Sequence, residues 1–251
     1  MKIFMLALMA VLLAGCSGES IKQTRDREKK SAKLHTELAG MYYQRNQMAI
    51  ALSEVDVALK ANPSYAPAYD VRGLIHMALH EDKDAEESFM QSLRIDSMDS
   101  ETHNNYGWFL CQRGRVQESI AQFMAAVKNP LYATPEVAYL NAGLCSQKEG
   151  KNQEAEDFLR QALRARPGMP QALLAMAELK FTTGDYQGAQ KYFARFASDS
   201  ANSDNMTAEQ LWLGIRIARR VGDKNAEGSY SLLLRGRYPD SHEAQLLSRG
   251  E

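Results

Sequence analysis

A 34-residue repeat runs through this 251-residue chain from about residue 32 to residue 240, and it limits the fold more than any other feature. Small residues recur at Ala39, Gly73, Gly107, Gly143 and Ala177, with spacings of 34, 34, 36 and 34. A second small set, Ala51, Ala85, Ser119, Ala155 and Ala189, follows twelve residues later each time. Large apolar residues follow four further on, at Val55, Phe89, Phe123, Leu159 and Phe193, and Pro63, Pro167 and Pro239 close several units. Within a unit this pattern describes two antiparallel helices, A and B. The small residues let the two backbones approach and the bulky residue fills the space beside them. Proline then ends helix B.

The spacing resembles the tetratricopeptide repeat (TPR). It predicts an all-α superhelical solenoid of about six helix pairs over residues 32–243, with units starting near residues 32, 66, 100, 136, 170 and 208. The sixth unit departs most, with Ile215 and Glu227 where small residues are expected. Residues 244–251 read as a C-terminal tail. A solenoid spreads its 45% hydrophobic residues along a seam between repeats. Lysine and arginine number 30 against 31 aspartate and glutamate, so the summed charge favours neither nucleic acid nor an anionic membrane surface as partner.

Met1-Lys2 followed by the apolar run Ile3 to Leu13 has the form of an export signal, with residues 1–15 removed. The run ends in Leu13-Ala14-Gly15-Cys16, which looks like a bacterial lipobox, and that resemblance implies acylation of Cys16. An ordinary signal peptide with a cysteine at this place is the alternative. Acylation at two or more points anchors a protein stably, where one chain does not. Ser17 in place of aspartate implies, by resemblance to enterobacterial lipoproteins, export to the periplasmic face of the outer membrane. Residues 16–31 are polar and charged and read as a lipidated tether.

Two further cysteines, Cys111 and Cys145, lie four residues after Gly107 and two after Gly143, on the A helices of adjacent repeats. At about 100° per residue the offset of two turns one side chain by roughly 200° relative to the other, so the sulfurs can face each other across the joint. A disulfide is expected in an oxidising compartment. Closing its loop is worth roughly 3–4 kcal/mol. Two buried, reduced thiols are the other reading.

Catalytic signals are lacking. Of five histidines, His76 and His80 have metal-like spacing, but no third ligand completes a zinc site and the position of His76 is ordinarily a core contact. His103 falls at a similar core position. No Gly-rich phosphate loop and no Gly-x-Ser-x-Gly is present. The expectation is a non-enzymatic protein with no metal, no cofactor and no small-molecule substrate.

In TPR arrays, positions 2, 5, 9 and 12 of helix A commonly face the groove. Applied residue by residue, this expects Tyr43, Asp70, Leu74, Met77, Asn104, Trp108, Leu140 and Leu144 to line a partner-binding groove, beside Thr36, Gly40, Pro67, Glu101, Val137 and Gln147. The wall is more apolar than charged and suits an extended or helical peptide with hydrophobic anchors.

The stretch Asn104-Asn105-Tyr106-Gly107-Trp108-Phe109-Leu110-Cys111 goes beyond generic TPR spacing, as do Asn141-Ala142-Gly143-Leu144-Cys145, Leu211-Trp212-Leu213-Gly214-Ile215-Arg216-Ile217-Ala218 and Arg237-Tyr238-Pro239. Together they resemble the PilF/PilW family of type IV pilus biogenesis lipoproteins. The resemblance implies a pilotin, an outer-membrane lipoprotein that helps the pilus secretin reach the outer membrane and form its multimer. A different periplasmic TPR adaptor, for β-barrel assembly or cell-wall enzymes, is the alternative.

Overall fold

A computed structural model describes residues 2–250, with side chains described for residues 22–199 and 202–250. The described residues are helical with short connections, and the chain divides into two compact units, Met1–Arg113 and Gly114–Glu251. The first unit holds α1 (Lys2–Gln44), α2 (Met48–Ala61), α3 (Ala66–Ala78), α4 (Asp82–Ile95) and α5 (Ser100–Gln112). The second holds α6 (Val116–Lys128), α7 (Pro135–Lys148), α8 (Asn152–Ala165), α9 (Pro170–Thr182), α10 (Tyr186–Ala197), the short α11 (Ser200–Ser203), α12 (Ala208–Val221), α13 (Lys224–Arg237) and α14 (His242–Ser248). No helix is long and apolar enough to cross a membrane among the described residues.

Local chemistry sets the helix ends. Proline occupies the first turn of α3, α7 and α9, where its missing N–H removes no helical bond. Asp99, Asp185, Asp223 and Ser241 accept backbone N–H groups at the starts of α5, α10, α13 and α14, and Thr207 with Gln210 forms a capping box on α12. Each turn from helix A to helix B carries one left-handed residue: Asn46 (φ 59°), His80 (φ 61°), Gly114, Gly150, Gly184 and Gly222. His80 is therefore a turn residue with an exposed side chain, not a partner of His76 on one helix face.

In both units helix pairs pack where the small and large residues meet. A Cβ on Gly73 would lie 2.7 Å from ring carbons of Phe89, which is fully buried with Tyr106 and Phe109 at ring-centroid distances of 5.7 and 5.8 Å. A Cβ on Gly143 would meet Leu159 at 2.8 Å. Repeat six differs from the sequence reading. Its close approach is at Gly214, whose Cβ would lie 2.8 Å from Phe193 and 3.0 Å from Tyr230, so the bulky Ile215 is accommodated and fully buried one residue on. Glu227 stands where a small residue was expected because it receives hydrogen bonds from Arg219 at 2.8 Å and Lys224 at 3.0 Å.

Two further segments differ from expectation. Residues 22–31, read as tether, continue α1 as helix, with Lys22 to Lys30 exposed. Residues 244–248, read as tail, belong to α14, which buries Ala244 and Leu247 in the core of the second unit. A spacing of three places both on one helix face.

Candidate functional site

Position 5 of helix A does not face a groove in the first four repeats. Thr36, Asp70, Asn104 and Leu140 are only 6%, 8%, 7% and 6% exposed. Asp70, Asn104 and Leu140, expected in the groove, are thus largely withdrawn from any partner. For Leu140 the cause is apolar burial in the core of the second unit. For Asp70 it is a polar contact between repeats: Asn105 Nδ2 donates to Asp70 Oδ2 at 2.9 Å, while Oδ1 is buried with no hydrogen-bond partner. Burial pushes this carboxyl up to about 7, with the hydrogen bond from Asn105 opposing and the charges of Asp99 and Glu101 adding.

Position 9 in the first four repeats, and position 12 in the first two, remain partly open. Tyr43 is half-buried against Ala39, Ala51, Val55 and Ile75. Leu74 and Met77 lie half-buried on the Phe89, Tyr106 and Phe109 cluster. Trp108 and Leu144 are likewise half-buried.

The histidine candidate resolves into a charged cluster. His76 Nδ1 lies 2.6 Å from Glu81 Oε2, and ligand atoms of His76, Glu81 and Asp84 all fall within 4.8 Å of one another. These three are the residues that could hold a cation. Against that, Arg72 lines the same recess with His76 and Asp84, and its Nε donates to Ser88 Oγ at 3.0 Å. A guanidinium so close disfavours a second positive charge.

A cleft of about 430 Å³ lies in the second unit between α7, α9, α12 and α14. Leu144 comes from position 9 of α7. Gln171, Leu174 and Glu178 are positions 2, 5 and 9 of α9, and Glu209, Trp212 and Arg216 are the same positions of α12. Here, unlike in the earlier repeats, position 5 is open: Leu174 and Trp212 are half-buried and line the cleft. The Arg216 guanidinium sits 4.7 Å from the centre of the Phe181 ring, and its Nε is buried with no hydrogen-bond partner. Sequence reasoning expected Leu144 in the groove but missed the residues of α9 and α12, because the groove positions were carried through four repeats and not six.

Cys111 on α5 and Cys145 on α7 are 2% and 0% exposed. The side chain of Cys16 lies outside the described residues.

Residues 112–170 and 147–206 match family models described as Tetratricopeptide repeat. The Type IV pilus assembly protein PilF of Pseudomonas aeruginosa is 31% identical over 241 residues, which cover 95% of this chain and 94% of PilF. A crystal structure of PilW, titled a widely conserved type IV pilus biogenesis factor, superposes with a TM-score of 0.77 at 36% identity, covering 86% of this chain and 97% of PilW. The structure of Pseudomonas aeruginosa PilF gives 0.78 at 28% identity, covering 89% and 99%. The chain belongs to the PilF/PilW family of type IV pilus biogenesis proteins, as an all-α, non-enzymatic TPR scaffold for protein–protein interaction.

Proposed function

We propose that the protein is an outer-membrane lipoprotein pilotin, which brings the type IV pilus secretin to the outer membrane and promotes its multimerisation. The observation that carries this reading is the union of two features: membership of a pilus biogenesis family over 95% of the chain, and Leu13-Ala14-Gly15-Cys16 after a short apolar run. Acylated at Cys16, the chain would sit on the membrane its partner must enter. Tethering raises the effective concentration of a partner on the same surface. No nucleotide, metal or catalytic group is needed for that task. The experiment is deletion of the gene and, separately, Cys16→Ser. Deletion should abolish surface pili and shift the secretin from multimer to monomer on non-denaturing gels. Cys16→Ser should release the protein from the outer-membrane fraction. Normal multimers and piliation in the deletion strain would refute the proposal.

The same reading includes a disulfide between Cys111 and Cys145, supported by their burial and by the oxidising periplasm in which such a protein would fold. Mass spectrometry without reductant should find neither thiol alkylated. Free thiols at both positions in periplasm-made protein would overturn the pairing.

A further inference from the structure

We infer that the cleft between α7, α9, α12 and α14 docks a peptide segment of a partner protein in which apolar side chains alternate with lysine or arginine. The inference rests on reading the protein as a binding scaffold, and not on the identity of the secretin.

Two observations point to that occupant. The floor is apolar, formed by Leu144, Leu174, Trp212 and Leu213, and the volume of about 430 Å³ holds several side chains but no folded domain. Glu178, Glu209 and Glu243 also line the cleft, so three carboxylates stand against the single guanidinium of Arg216. None of the three forms a salt bridge among the described residues. An entering basic side chain would therefore meet carboxylates not already neutralised, and charge complementarity of this kind selects partners and steers them in.

The chain's own basic stretch is a poor occupant. Residues 22–30 read Lys-Gln-Thr-Arg-Asp-Arg-Glu-Lys-Lys and hold no apolar side chain to fill the floor. Glu243 gives the cleft its end wall because α14 is helical and packed against α12 and α13.

The test uses the mature full-length chain carrying Trp108→Phe, so that Trp212 is the sole indole, with calorimetry on the wild-type chain as a second readout. The probes are amidated peptides about twelve residues long, alternating Leu with Lys, Leu with Glu, or Ser with Lys. The Leu/Lys peptide should shift Trp212 emission, with salt weakening the binding. It should bind about tenfold more weakly to Glu178→Gln/Glu209→Gln, whose circular dichroism should match wild type. The other two peptides should bind at least about tenfold more weakly than Leu/Lys. Equal binding of Leu/Glu or of Ser/Lys, indifference to the glutamine substitutions, or a concentration-dependent dimer that occupies the cleft would each overturn the inference. A protein that passes these tests while secretin multimers form without it would refute the pilotin proposal and leave the cleft assignment standing. Loss of peptide binding with secretin assembly still dependent on the protein would do the reverse.

Discussion

Asp70→Asn should make the protein more stable at neutral and alkaline pH. Asp70 is 8% exposed, accepts one hydrogen bond from Asn105 at 2.9 Å, and has a second carboxylate oxygen with no partner. Desolvation, reinforced by Asp99 and Glu101, pushes its pKa from 3.8 up to about 7. The folded chain thus holds a proton, through the window from about 4 to about 7, that the unfolded chain has released. Its contribution to stability is fully present below the unfolded value and is lost as pH rises through the folded one. A gap of roughly three pH units at about 1.4 kcal/mol each sets the loss at about 4 kcal/mol, an upper figure if the site relaxes or admits water. Asparagine keeps the shape and an acceptor for Asn105 while removing the charge. Urea unfolding followed by circular dichroism, run on both proteins between about pH 4 and pH 8, should give curves that converge at the acid end. They should separate by about 2–4 kcal/mol at the alkaline end, with the variant more stable. Parallel pH profiles, or a variant less stable than wild type at about pH 8, would refute the assignment of a strained buried carboxyl.

Three other substitutions probe the packing and the turns. Gly73→Val should destabilise by about 1–3 kcal/mol, because Phe89 is held between Tyr106 and Phe109 and has nowhere to retreat. Gly40→Ala, in helix with nothing within 4 Å of the new Cβ, should stabilise by about 0.5–1 kcal/mol in the same denaturation assay. His80→Gly should raise the melting temperature, since the backbone there sits at φ 61° and glycine relieves up to about 1 kcal/mol of strain; a fall would mean the imidazole makes a stabilising contact. If Cys111 and Cys145 are paired, Cys111→Ser should cost about 2–4 kcal/mol, and added reductant should then change the melting temperature of wild type but not of the variant.

The parts of the fold readable in advance were those in which one short contact fixes two residues of one repeat. Gly73 with Phe89 and Gly143 with Leu159 follow from a spacing of sixteen, because close backbones admit only a small residue opposite a large one. Repeat six keeps the spacing of sixteen, Gly214 with Tyr230, but one position earlier than expected, and there the glycine also meets Phe193 of the preceding helix pair. The turn role of His80 left a usable trace: Gly114, Gly150, Gly184 and Gly222 occupy the equivalent turn in later repeats, for conformational and not packing reasons. The role of α14 was harder to see, since Ala244 and Leu247 are two apolar residues in a polar sequence whose burial depends on a wall supplied by α12 and α13.

The groove shows why position within a repeat predicts direction better than exposure. Position 5 points the same way in every A helix, yet Asp70 is covered where Asn105 of the next A helix reaches across to it. Trp212 occupies the same position in the last repeat, where no further A helix follows and only the seven-residue α14 stands beside it. The periodicity of the chain gives the orientation of a side chain, while the identity of the next element decides whether it is core or surface. A binding surface should then open where the repeat runs out, which is where Leu174 and Trp212 are half-buried and Glu178, Glu209 and Glu243 lie without salt bridges among the described residues. Extending α14 by one full TPR unit would test this: it should bury Trp212, quench its response to the Leu/Lys peptide, and leave the environment of Asp70 unchanged.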